Sequence, residues 1–139
     1  MRRVTYLAAR VFNRCKSDKS RLYPCEFVYA TSTNSYDLPR GKLLKVSQLR
    51  KKIGWKGEAI GFVEAPTVSE VQDLTKTLFG IDVYYIPVTR GEKLSYRIGM
   101  LDLKSHEIAI SDESYDTGDD AIEKGCMSIF RDNKIRGVY

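Results

Sequence analysis

The sequence predicts an α+β protein in which helices pack on antiparallel sheet, with a basic, β-rich N-terminal half and an α-β-β-β-α C-terminal half. Three observations lead to this. The stretch from Thr67 to Gly80 has helical spacing between a capping residue and a terminating glycine. The residues from Asp82 to Ile110 form short runs rich in strand formers, separated by turn residues. From Thr117 onward the apolar positions return to a helical period.

Residues 1–13 alternate Val4, Tyr6 and Ala8 with polar or small neighbours, which predicts a strand, although a short helix fits the same residues. Asn13 to Arg21 is polar and reads as an exposed loop. Phe27 to Thr31 is a second strand, expected to pair with the first as a hairpin. Ser32 to Gly41 collects Ser, Asn, Asp, Pro and Gly, and so is a loop. A short helix follows Ser47, with Leu49 and Ile53 on one face and Gly54 as its stop. Glu58 to Val63 reads as a strand leading into Pro66.

Thr67 and Glu70 have the T-x-x-E spacing of a capping box, so the next helix starts there. Val71, Leu74 and Leu78 share one face and are expected to be its buried side. Asp82 to Ile86 is a strand closed by Pro87, and Thr89 to Glu92 is a turn. Leu94, Tyr96, Ile98 and Met100 alternate with smaller or polar residues, a half-buried strand. Lys104-Ser105 turns the chain into Ile108 to Ile110. The last helix runs from near Thr117 to about Arg131 on a stripe of Ala121, Ile122, Gly125, Cys126, Ile129 and Phe130. The halves divide as 1–65 and 66–139 and are expected to pack as one unit.

At 139 residues, with 42% hydrophobic side chains, the chain can build a core, which excludes global disorder. Its charge is segregated. Residues 1–56 carry 14 Lys and Arg against Asp18, Glu26 and Asp37, a balance of +11. Residues 57–139 carry 9 basic and 15 acidic side chains, a balance of −6. Such asymmetry points to an anionic partner for the first half, or to two complementary surfaces. The candidate anion-binding residues are Arg10, Arg14, Lys16, Lys19 and Arg21, and Lys42, Lys45, Arg50, Lys51, Lys52 and Lys56 around Trp55. Cations interleaved with an aromatic ring suit phosphate contact with base stacking; Trp55 fits a core position equally well.

No catalytic motif stands out. His106 lies on a turn with no nucleophile paired to it by motif, and Cys15, Cys25 and Cys126 with His106 lack zinc-ligand spacing. Asp112, Glu113, Asp116, Asp119, Asp120 and Glu123 lack the EF-hand order and read as a solvated helix start. Gly41, Gly54, Gly57 and Gly61 do not form a phosphate loop. A non-enzymatic protein with no cofactor and no metal is expected. Arg2-Arg3 is followed by apolar residues only as far as Ala9, too short for a secretory leader, so a cytoplasmic (host-cell) place and reduced thiols are expected.

The order of elements over residues 67–131 resembles the double-stranded-RNA-binding-domain (dsRBD) fold. RNA-binding members of that family carry lysines at the start of the second helix; here Asp116, Asp119 and Asp120 stand there, and Thr89 to Glu92 lacks the family's loop. The resemblance therefore implies a fold without its RNA contacts. Pro66-Thr67-x-Ser69-x-x-Gln72, and Tyr115-Asp116-Thr117 with Asp120-Ala121-Ile122-Glu123-x-Gly125, look like a pattern in small, uncharacterised phage and prophage proteins. That resemblance implies a mobile-element origin. The expected function is a phage-type accessory protein that binds nucleic acid through its basic half. The alternative is a counter-defence protein that inhibits a host immune effector or sequesters an anionic signalling nucleotide. A homo-oligomer joined through the opposite charges is a third reading, and no membrane partner is expected.

Overall fold

The computed structural model describes residues 2–14, 25–57 and 60–135. They hold four helices and six strands, an α+β architecture with two three-stranded antiparallel sheets. The chain divides into two compact units, residues 3–66, and residues from 67 onward together with Arg2.

In the first unit, β1 (Phe27–Ala30) is the middle strand, flanked by β2 (Leu43–Lys45) and β3 (Phe62–Glu64). The register sets Val28 opposite Leu44 and Glu64, and Tyr29 opposite Leu43 and Val63. Successive strand residues face opposite sides of a sheet, and each side here has its own cover. Val28, Ala30 and Phe62 are buried with Val46, Leu49 and Trp55, so α2 (Val46–Ile53) covers that side. Tyr29 faces the other way. Its hydroxyl donates to the Val4 carbonyl at 2.6 Å, and its ring meets Tyr6 edge-on at 5.7 Å.

Tyr6 belongs to α1 (Tyr6–Asn13), where the alternation of Val4, Tyr6 and Ala8 predicts a strand. The helix prevails for two reasons. Leu7, Ala8, Ala9 and Arg10 are strong helix formers, and the Thr5 side chain caps the first turn by accepting from the Ala8 amide at 3.3 Å. Its buried side is Ala8, Ala9, Val11 and Phe12. With no strand there, the expected hairpin does not form; β1 pairs instead with β2 and β3. The Asn13 side chain ends α1 on the open edge of β3, donating to the Glu64 carbonyl and accepting from the Glu64 amide.

The second unit opens with α3 (Val68–Phe79). The Thr67 hydroxyl accepts from the Glu70 amide at 3.1 Å, and Gly80 closes the helix in the left-handed region, its amide on the Lys76 carbonyl. The buried face differs from the expected one. Val68, Val71 and Thr75 are inside, whereas Leu74 and Leu78 are 42% and 49% exposed. Thr75 can be buried because its hydroxyl donates to the Val71 carbonyl at 2.7 Å.

β4 (Ile81–Arg90), β5 (Lys93–Asp102) and β6 (Ile108–Tyr115) form a meander in that order. Pro87 lies inside β4 rather than ending it, because β4 is an edge strand and needs no outward donor there. The turn contracts to Gly91-Glu92, and the last strand continues five residues past Ile110. α4 (Gly118–Ile135) buries the whole predicted stripe, and Phe130 meets Phe79 of α3 edge-on at 5.1 Å. Gly125 lets α4 approach the sheet closely: a Cβ there would stand 2.7 Å from Val83 and 2.8 Å from Ile98.

The acidic start of α4 is more than a solvated end. Asp120 and Glu123 bind the Arg2 guanidinium at 3.0 and 3.2 Å, and Glu123 is only 4% exposed. No helix among the described residues is long and apolar enough to cross a membrane.

Candidate anion-binding surfaces

α2 is built to show cations. Val46 and Leu49 point into the core, and Gly54 (φ 66°) stops the helix. At about 100° per residue, Arg50, Lys51 and Lys52 then spread over the arc that faces away from the sheet. All three are exposed, as are Lys42, Lys45 and Lys56. The three sit in the last turn, where the helix dipole favours positive charge. Lys42, Lys45, Arg50, Lys51 and Lys52 form no ion pair with another described residue.

Trp55 is not part of that exposed surface. It is 2% exposed, 5.0 Å from the Phe62 ring, in the cluster that also holds Leu49. Base stacking on this indole would require opening the core. A sequence signal for this exists: a large apolar residue directly after a terminating glycine packs back on the last turn of its helix. Its Nε1 is buried without a hydrogen-bond partner among the described residues.

Arg10 and Arg14 lie on α1 and its C-terminal cap, one turn apart, on the opposite side of the sheet from α2. Arg10 is half-buried and Arg14 exposed. The structure adds a residue absent from the sequence-based set. Arg40, on the loop before β2, stands 5.8 Å from the Tyr6 ring centroid, the same distance as Arg10. An isolated arginine between Pro39 and Gly41 carries no pattern that would have singled it out. Lys16, Lys19 and Arg21 lie outside the described residues. Arg10, Arg14 and Arg40 therefore lie on one side of the sheet, and Arg50, Lys51 and Lys52 on the other.

Arg2 and Arg3 are committed elsewhere. Arg2 holds Asp120 and Glu123, while Arg3 donates to the Ala65 carbonyl at 2.7 Å, pairs with Glu26 and lies 4.2 Å above the Phe27 ring. His106 is exposed at a left-handed position (φ 64°) in the β5–β6 turn. In that turn the Lys104 and Ser105 amides donate to Asp102 and hold its carboxyl below the usual range. Cys126 is buried, and its thiol is pushed up to about 11 by desolvation, against the lowering effect of a hydrogen bond with Thr75. Among the described residues no group of three or more His, Cys, Asp or Glu side chains is placed to hold a metal ion.

No family model, no curated protein and no solved structure matches this chain.

Proposed function

We propose that the first unit binds nucleic acid through its phosphate backbone, with α2 as the principal contact. One observation carries this: Arg50, Lys51 and Lys52 cover the outward arc of α2, exposed and without a carboxylate partner among the described residues. A fan of cations grips phosphates and reads no base edges, so the binding is sequence-independent and steeply salt-dependent. Residues 3–66 carry 13 basic and 5 acidic side chains, a balance of +8 that supports the reading. In it the chain acts by binding alone, and Trp55 contributes to folding rather than to stacking.

The second unit, in the same reading, follows the arrangement of a dsRBD without its RNA contacts. Support comes from the order α3, three antiparallel strands, α4, and from Asp119 and Asp120 in the first turn of α4.

The test replaces Arg50, Lys51 and Lys52 together by Gln, which removes charge at nearly constant helix propensity. Titration with DNA and RNA oligonucleotides at low salt should show affinity falling at least tenfold, with the folded spectrum retained. An unmodified protein that binds neither polymer would sink the reading.

A further inference from the structure

We propose that Arg10 and Arg40 together hold a phosphate group on the α1 side of the first unit, with Tyr6 as the ring that both approach. The proposal rests on the nucleic-acid reading and adds to it a second phosphate contact, across the sheet from α2. Its basis is that two like charges are brought together with no described counter-ion. Both guanidinium carbons lie 5.8 Å from the Tyr6 ring centroid, so they stand at most twice that distance apart. Neither the Arg10 nor the Arg40 side chain has a carboxylate or hydrogen-bond partner among the described residues, unlike those of Arg2 and Arg3.

Attraction to a ring face satisfies the charge of a guanidinium only in part and consumes none of its N–H donors. Two such groups repel each other until an anion enters. A phosphate oxyanion supplies the charge and the acceptor geometry that a pair of planar forks matches.

The pair is also held in place before any ligand arrives. Tyr6 is fixed by the edge of Tyr29, whose hydroxyl is anchored on the Val4 carbonyl. Arg40 comes from a loop that is clamped at both ends. Asn34 donates to the Thr31 and Leu38 carbonyls and accepts from the Tyr36 and Leu38 amides. The Gly41 amide donates to the Ala30 carbonyl at 2.8 Å, and the Ala30 amide to the Lys42 carbonyl at 3.1 Å. Gly41 lies against the Tyr6 ring with φ of 80°, a backbone position that suits glycine. Two elements far apart in sequence thus present their arginines to one ring, and little ordering remains to oppose binding.

A diester in a strand and the phosphate of a free nucleotide share this chemistry, so the experiment has two arms. Arginine Nε–Hε signals of the unmodified protein, assigned with Arg10→Lys and Arg40→Lys, are followed by NMR against a short single-stranded oligonucleotide and against adenosine monophosphate. The Arg10 and Arg40 signals should move together, with Arg2 and Arg3 still. Movement with the oligonucleotide alone identifies a strand phosphate; movement with both identifies a site that also takes a free nucleotide. The Arg10→Gln/Arg40→Gln variant should lower the salt slope on a single strand by roughly 0.7, one phosphate contact's worth.

Arg50 moving while Arg10 and Arg40 stay still would overturn this site and leave the α2 reading standing. Arg10 and Arg40 moving in the Arg50→Gln/Lys51→Gln/Lys52→Gln variant, with polymer affinity unchanged by that variant, would keep this site and remove α2. Stillness of all these arginines with both probes would overturn both.

Discussion

Leu74 and Phe130 show how burial, more than residue type, sets what a side chain contributes. Leu74 is 42% exposed, and Phe130 is 1% exposed in contact with Phe79. Leu74→Ala should therefore cost no more than about 1 kcal/mol, whereas Phe130→Ala should cost roughly 3–5 kcal/mol. Urea denaturation of the two variants decides it, and equal midpoints would mean that the α3–α4 contact is misassigned. Cys126 gives a pH prediction. Its thiol is raised from 9.0 to about 11, first by desolvation and also by Glu123, with the Thr75 hydrogen bond opposing. Below pH 9 both states keep the proton and the thiol adds no pH dependence. Between about 9 and 11 the unfolded chain ionises first, so the folded state loses stability by up to about 1.4 kcal/mol per pH unit. Stability measured from pH 8 to 11 should fall less steeply in Cys126→Ala; parallel curves would rule out the thiol as the source.

At the scale of elements, α4 shows how one helix meets several demands at once. Its apolar stripe faces the sheet, Gly125 allows the close approach, and the first turn is capped by the Thr117 hydroxyl, which accepts from the Asp120 amide. The same turn uses Asp120 and Glu123 to hold Arg2, whose carbonyl accepts from the Val68 amide at the start of α3. Arg2 thereby ties the two helix starts of this unit together. Arg2→Ala leaves the nearly buried Glu123 carboxylate without this cation, and it should destabilise the fold by about 1–3 kcal/mol. Adding Glu123→Gln should recover part of that loss. A double variant as unstable as the sum of the two singles would show that the pair is not coupled.

For the molecule as a whole, charge is divided between its two units. The α2 fan and the Arg10–Arg40 pair belong to residues 3–66, and the acidic residues of the α4 start belong to the other unit. Asp116→Asn with Asp119→Asn should leave the α2-dependent affinity for DNA and RNA in place. Asp120 is kept because it also binds Arg2. Loss of binding in a folded Asn variant would show that the second unit takes part in recognition.

Features that depend on neighbours along the chain could be read from the residues alone. Thr67, Gly54 and Gly80 mark their helix ends because a capping hydroxyl and a left-handed backbone act within a few residues. The stripe on α4 was legible because Ala121, Ile122, Gly125, Cys126, Ile129 and Phe130 follow one period, whereas buried Glu123 and Met127 lie beyond it. The alternating residues of β5 announced a strand, but its burial does not alternate: Leu94 is exposed, and Ser95, Ile98 and Gly99 are buried. Where two local patterns competed, long-range packing chose between them. Residues 6–13 satisfy strand alternation and helix propensity alike, and the Thr5 cap with the packing of Ala8, Ala9, Val11 and Phe12 selects the helix. α3 offers two adjacent faces, and packing buries Val68, Val71 and Thr75, a face Thr75 can join because its hydroxyl is satisfied on the helix backbone. Trp55 could have served surface or core, and contact with Leu49 and Phe62 places it inside. The basic surfaces were legible only as a charge count. Their division across the sheet, and the meeting of Arg10 with Arg40 at Tyr6, come from residues distant in sequence whose proximity no local pattern encodes.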